Sequence, residues 1–165
     1  VARKVQAFGA STQYYDLYRL KPEMEREYNL TYKPLKELIK NSDIITLHIP
    51  LTEENHHIIG KTEIAMMKDG AIIINTARGG LVDDQALVEA VNSGKLAGAG
   101  LDVVENEPLP ANDPLLCNPN VIVTPHIGGG TADIGDVIIP ILVKDIEDCV
   151  AGEKVIHIVN KKYLR

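Results

Sequence analysis

The chain lacks most of the features that would assign it quickly. It has only two cysteines, Cys117 and Cys149, far apart and outside any C-x-x-C spacing. That excludes a disulfide framework and a cysteine metal centre, and it fits free thiols in a reducing compartment. Positive charge is in deficit: 17 Lys and Arg stand against 23 Asp and Glu, giving a formal net charge of -6 and a pI of about 5.3. Nucleic acid and membrane surfaces are therefore not expected as partners. No apolar run approaches the roughly 18 residues of a membrane span, and no basic-then-apolar secretory plan opens the sequence. Internal repeats, low-complexity tracts and G-x-S-x-G, H-E-x-x-H and Walker patterns are also missing. Serine-hydrolase, zincin and P-loop chemistry thus have no support. A soluble, cytoplasmic protein is the expectation.

What is present is a core. At 165 residues with 45% hydrophobic residues, the chain can bury one domain. Three segments organise it: Gly70 to Gly80, Ala97 to Pro108 and Val121 to Thr131. Each opens as a short apolar run without polar alternation and ends in Gly or Pro, as a strand of a buried parallel sheet does. Arg78, Asp102, Glu107 and His126 follow the carboxyl ends of these strands. In an open α/β sheet that edge is where ligands bind.

Along the chain, residues 1–8 read as the last turns of a helix with no capping residue before Val1. Residues 12–15 read as a strand ending at Asp16, and 17–32 as loop or a short exposed helix. A helix over 34–40 starts at Pro34, a strand spans 43–49, a short helix 62–67 and a strand 71–75. Asp83 or Asp84 caps a helix closed at Ser93-Gly94. A Gly/Ala-rich strand over 96–103 has small residues that permit close approach of whatever packs on it. A Pro/Asn-rich loop spans 105–120, a strand 121–124, and a long helix 132–150, interrupted at Pro140, finishes at Gly152. Strands alternating with helices predict an α/β fold, a doubly wound parallel sheet.

Candidate site residues follow from these positions. Asp16 at an early strand end suits the ribose hydroxyls of a dinucleotide and would repel a 2′-phosphate, favouring NAD; it could equally be a solvated turn residue. The G-x-G-x-x-G that should accompany it is absent, and Gly128-Gly129-Gly130 follows the wrong strand. Arg78 could grip an anionic substrate at two points, or pair with a loop acid. His126 can exchange the hydroxyl proton of an alcohol undergoing oxidation, or be a surface residue. Glu105 and Glu107 are both placed to meet it, and periodicity does not choose between them. His56 and His57 read as part of a polar loop, and His48 as a strand-end residue near a cofactor.

Four motifs in order carry a family likeness: Leu-His-Ile-Pro-Leu-Thr (47–52), Ile-Asn-Thr-Ala-Arg-Gly-Gly-Leu-Val-Asp (74–83), Gly-Leu-Asp-Val-Val-Glu-Asn-Glu-Pro (100–108) and Thr-Pro-His-Ile-Gly-Gly (124–129). Together they resemble the D-isomer-specific 2-hydroxyacid dehydrogenases, a group that includes phosphoglycerate, hydroxypyruvate and D-lactate dehydrogenases. The resemblance implies a Rossmann-like, NAD-dependent oxidoreductase acting on a 2-hydroxy or 2-oxo acid. It implies that Arg78 binds substrate, His126 is the general acid/base and Glu107 pairs with it. Asp102 would meet the nicotinamide side, Asp16 the ribose, and His48, Pro50, Thr76 and Ala77 would line the cofactor channel. Glutamate at 107 disfavours a formate-dehydrogenase reading.

The resemblance also implies a fold incomplete at its amino-terminal end. Residues 1–152 would be a partial NAD-binding domain without its first strand and glycine-rich loop. Residues 153–165 would be a tail returning toward a substrate domain. Such a chain would be nearly inactive alone, and a homodimer is the implied assembly. The rival reading is an NAD(H)-sensing corepressor of the same fold.

Overall fold

The structure, a computed structural model, describes residues 1–159. Residues 160–165, the end of the expected tail, lie outside the described residues. In chain order the elements are α1 (Ala2–Gln6), β1 (Gln13–Tyr14), α2 (Pro22–Glu27), β2 (Thr31–Tyr32), α3 (Leu35–Asn41), β3 (Ile44–Leu47), α4 (Lys61–Met66), β4 (Ala71–Asn75), α5 (Asp84–Asn92), β5 (Leu96–Leu101), α6 (Pro114–Cys117), β6 (Val121–Val123) and α7 (Ile134–Ala151). They divide into one compact unit, Val1–His126, and a second beginning at Ile127. Among the described residues no helix is long and apolar enough to cross a membrane.

The first unit is built on a four-stranded sheet in the order β3-β4-β5-β6, with every pair parallel. Parallel neighbours need crossovers, which α4, α5 and α6 provide. Register sorts the side chains by face. Ile45, Ile73, Ala99 and Val121 lie opposite one another, as do Leu47, Asn75, Leu101 and Val123. That face is buried with Ile39, Ile64, Met67, Leu87, Val91 and Leu115 from the helices. The other face carries Ile44, 60% exposed, and Ile122, 71% exposed, so the long apolar runs of the sequence are covered fully on one side only. The small residues of β5 do admit a close neighbour: a Cβ on Gly98 would lie 2.5 Å from the Asn120 carbonyl oxygen. That oxygen accepts the Ala99 amide at 3.1 Å and seats β6.

β1 and β2 form a separate two-stranded parallel sheet, tied to the end of α3 by a hydrogen bond from Gln13 Nε2 to Ser42 Oγ at 2.9 Å. Neither β2 nor α6 is expected from the sequence. β2 is only two residues long, and α6 is one turn hidden in a proline-rich loop. Beside β1, Glu25 accepts from Tyr14 Oη at 2.7 Å and from Arg19 Nε at 2.8 Å and Nη2 at 3.0 Å. These bonds, the arginine's first, hold its carboxyl down at about 2. A depressed carboxyl contributes stability above its unfolded value of about 4.3 and loses it as pH falls through the folded value. Between about pH 4.5 and 2, melting temperature should fall more steeply in the wild type than in Glu25→Gln; parallel acid profiles would refute this role.

The second unit, from Ile127 onward, is built on α7. Pro140 does not interrupt this helix, contrary to the sequence expectation: Ile134–Ala151 is continuous. A proline removes one backbone donor, but the turns on either side supply enough bonds to carry the helix past it. Gly152, at φ 71°, ends the helix in a left-handed cap. His157 Nδ1 reaches Asp145 Oδ2 at 2.9 Å, turning the tail back along α7.

Candidate active site

The carboxyl ends of the four parallel strands carry the expected residues side by side. β3 is followed by His48 and Pro50, β4 by Thr76, Ala77 and Arg78, β5 by Asp102 and the loop to Glu107, and β6 by His126. Adjacent strands are about 4.8 Å apart, so these groups form one row.

Asn75 shapes the turn after β4. Its side chain is 1% exposed, donates from Nδ2 to the Arg78 carbonyl at 2.9 Å, and accepts the Ala77 amide at 3.1 Å through Oδ1. Its own carbonyl accepts the Asp102 amide at 2.9 Å. One buried amide therefore folds the Thr76-Ala77-Arg78 turn and ties it to β5. Arg78 is exposed, its Nη1 donates to the Ala77 carbonyl at 2.6 Å, and among the described residues it has no carboxylate partner. A pairing with a loop acid is thus not its role here.

The next residue joins this turn to the acidic loop. A Cβ on Gly79 would sit 1.9 Å from the Val104 carbonyl oxygen and 2.4 Å from its carbon, a contact only glycine permits. Val104 in turn donates its amide to Glu107 Oε1 at 3.0 Å, while Glu107 Oε2 meets His126 Nδ1 at 2.8 Å. Of the two glutamates left open by the sequence, Glu107 therefore faces His126. The hydrogen bond from His126, reinforced by the Val104 amide, holds the Glu107 carboxyl below the usual range. A carboxylate so held only accepts, so Nδ1 carries the proton and Nε2 is left for a ligand.

His126 is placed from the other side by Asp102 and Thr124. Asp102 is 7% exposed and accepts from the Thr124 hydroxyl, and the Thr124 amide donates to the Leu101 carbonyl at 2.8 Å. Two residues on, His126 has φ 53°, a left-handed conformation uncommon for a non-glycine residue and concentrated at functional sites. Asn75, Gly79 and Thr124 are the positioning residues that sequence reasoning missed. A polar residue closing an apolar strand was the available signal for Asn75 and Thr124.

The remaining candidates lie as follows. Asp16 is half-buried beyond β1, with Oδ1 accepting the Tyr18 amide at 2.8 Å. His48 is within 3.0 Å of Thr46 Oγ1 through Nε2. Partial desolvation of the ring holds it below the usual histidine range. Pro50 and Thr76 are exposed and Ala77 is half-buried. His56 and His57 are not merely loop residues: both rings converge on Glu105.

An open parallel sheet presenting such groups at its carboxyl edge defines the dinucleotide-binding class of α/β domains. Within that class, the chain belongs to the family described as "D-isomer specific 2-hydroxyacid dehydrogenase, NAD binding domain", whose profile matches residues 1–128. It is 42% identical, over all 165 residues, to a glyoxylate reductase of Thermococcus gammatolerans, and covers 49% of that protein. It is 45% identical over 156 residues to a hydroxypyruvate reductase of Blautia hydrogenotrophica, covering 94% of this chain and 48% of the relative. The crystal structure of D-lactate dehydrogenase from Aquifex aeolicus complexed with NAD and lactic acid superposes with a TM-score of 0.82 at 40% identity, over 92% of this chain and 50% of that one. The chain spans about half the length of these curated relatives. NAD is the cofactor of the family, and the residues present suit it. Asp16, an acid, lies half-buried just beyond β1, and the exposed polar side chains of His48 and Thr76 directly follow β3 and β4.

Proposed function

We propose that this chain carries the NAD-binding and acid/base half of an oxidoreductase acting on the CH-OH group of a D-2-hydroxy acid, or on the corresponding 2-oxo acid. The observation that carries the proposal is the 2.8 Å contact of His126 with Glu107. Glu107 lies on a loop packed against the turn that presents Arg78, which has no carboxylate partner among the described residues. The nicotinamide cofactor, when bound, would supply the hydride for C2. The residues do the rest: Arg78 holds the substrate carboxylate and polarises the adjacent carbonyl, and His126 Nε2–H gives its proton to the carbonyl oxygen, taking it back in oxidation. Glu107 keeps the ring oriented by accepting the Nδ1 proton. Asp16 accepts the ribose hydroxyls, Asp102 stands on the nicotinamide side, and His48, Pro50, Thr76 and Ala77 line the channel.

The proposal extends to the cytoplasm and to a homodimer, the first supported by two exposed, unpaired cysteines. Residues 1–152 act as the NAD-binding portion and 153–165 as its tail. By itself the 165-residue chain turns over poorly, because no G-x-G-x-x-G is present to cradle a pyrophosphate.

The test is NADH oxidation by the enzyme containing this chain, offered glyoxylate, hydroxypyruvate, phosphohydroxypyruvate and pyruvate. At least one should be reduced, and inertness toward all four defeats the reading. Arg78→Lys keeps the charge but loses the planar fork, so KM for that acid should rise about tenfold. An unchanged KM would remove Arg78 from the substrate site.

A further inference from the structure

A second cluster of chemistry-bearing side chains stands on the other side of the loop that carries Glu107. His56 Nε2 and His57 Nε2 each lie 3.2 Å from the same oxygen, Glu105 Oε1. The two rings are 3.9 Å apart at 32°, and the three ligating atoms all fall within 4.8 Å of one another. We propose that His56, His57 and Glu105 form a binding site for a divalent transition cation of the zinc class, with a coordination position left open to water or an anion. The proposal does not depend on the oxidoreductase reading.

Geometry carries it. A tetrahedral zinc ion with bonds of about 2.0–2.1 Å to nitrogen and oxygen requires neighbouring donors about 3.3 Å apart, so two of the three edges already have the needed length. Donor chemistry agrees: imidazole nitrogen with carboxylate oxygen suits zinc and its neighbours better than magnesium or calcium, which take oxygen. Asp83 Oδ2 stands 4.0 Å from His57 Nδ1, beyond hydrogen-bond reach but near enough to close on that nitrogen and supply the outer carboxylate that metal-bound histidines generally have.

The frame is also in place before any ion arrives. His57 is held at φ 53° by its amide bond to the Gly80 carbonyl at 2.7 Å. The His56 ring lies over Gly80, where an added Cβ would be 3.3 Å away. Glu105 is fixed by its amide to Asp84 Oδ2 at 2.8 Å. All three ligands are thus anchored on residues 80–84, and an ion would clamp 56–57 to the loop leading to Glu107.

The experiment uses the full chain with Cys117 and Cys149 alkylated, so that thiols do not compete, and zinc presented by a chromogenic chelator. One equivalent should be taken up. His56→Gln, His57→Asn and Glu105→Gln should each weaken uptake by more than about 100-fold, and Asp83→Asn by about 10–100-fold. Asparagine tolerates the left-handed φ at 57, and melting curves without metal control for folding. NMR should show the His56 and His57 ring protons moving with zinc while those of His157 stay in place. No competition with the chelator, or uptake within about threefold of wild type in the ligand variants, would establish a plain hydrogen-bonded cluster and overturn the proposal.

Discussion

On the proposed reading, replacing His126 by alanine in the protein containing this chain should lower kcat/KM for its 2-oxo acid by about 10²–10⁴-fold, as expected for loss of a positioned proton donor. That corresponds to about 2.7–5.5 kcal/mol of transition-state stabilisation. Stability should hardly change. The imidazole and the Glu107 carboxylate are 49% and 37% exposed, and ion pairs so open to water contribute at most about 1 kcal/mol. The contrast separates a catalytic loss from a folding defect: steady-state kinetics should collapse while the melting temperature stays put. Activity within about tenfold of wild type would show that proton transfer belongs to another group.

Glu107 acts on the same step through the ring. Its Oε2 fixes Nδ1 of His126 at 2.8 Å, and an amide in its place can donate as well as accept and so no longer dictates the tautomer. On the proposed reading Glu107→Gln should therefore lower kcat with KM little changed. The Glu107 carboxyl is itself depressed by its bond from His126. Its contribution to stability is present above the unfolded value of about 4.3 and lost only as pH falls through the lower folded value. An unchanged kcat in Glu107→Gln would assign the orientation of the ring to something else.

Parts of this arrangement were legible in the sequence for definite reasons. Ala71–Asn75 has the predicted bounds because a β-branched run stands between Gly70 and a polar residue. Asp83 caps α5 through Oδ1 to the Ala86 amide at 2.9 Å, one of the two caps the pattern allowed. The choice between Glu105 and Glu107 was not legible. The two are two positions apart, so a period of two places them alike, and what divides them is an irregular loop whose Val104 amide turns inward to Glu107. Nor could spacing show that His56 and His57, nearly fifty positions away, would meet the glutamate that His126 leaves. The Asp113-Pro114 pair was a readable helix start, with Asp113 Oδ1 accepting the Leu115 amide at 2.9 Å, but a single turn amid prolines gives no apolar period to support it. Contacts between loops are written in the sequence only where a rare residue is forced, and Gly79 is such a residue.

Gly79→Ala should therefore be the most damaging single methyl group added to this site. The new carbon would stand 1.9 Å from the Val104 carbonyl oxygen and 3.0 Å from the Glu105 nitrogen. Both partners are backbone, so no side chain can swing away. Relief requires the Arg78 turn to withdraw or the 103–107 loop to lift. The turn is held by Asn75 from within the core, and the loop by bonds to Asp84 and Glu107. Overpacking against a fixed surface costs about 3 kcal/mol. Gly70→Ala is the control: its φ of 76° is unfavourable, but nothing lies within 4 Å of the added carbon, so only the conformational penalty of about 1–2 kcal/mol applies. Whatever part of the structure yields, Arg78 moves relative to Glu107 and His126, and a displacement near 1 Å costs about 100-fold in rate. Denaturant unfolding should rank Gly79→Ala well below Gly70→Ala, and only Gly79→Ala should lose kcat/KM on that scale. Equal stabilities with full activity would mean that the Arg78 turn and the Glu107 loop are not in contact.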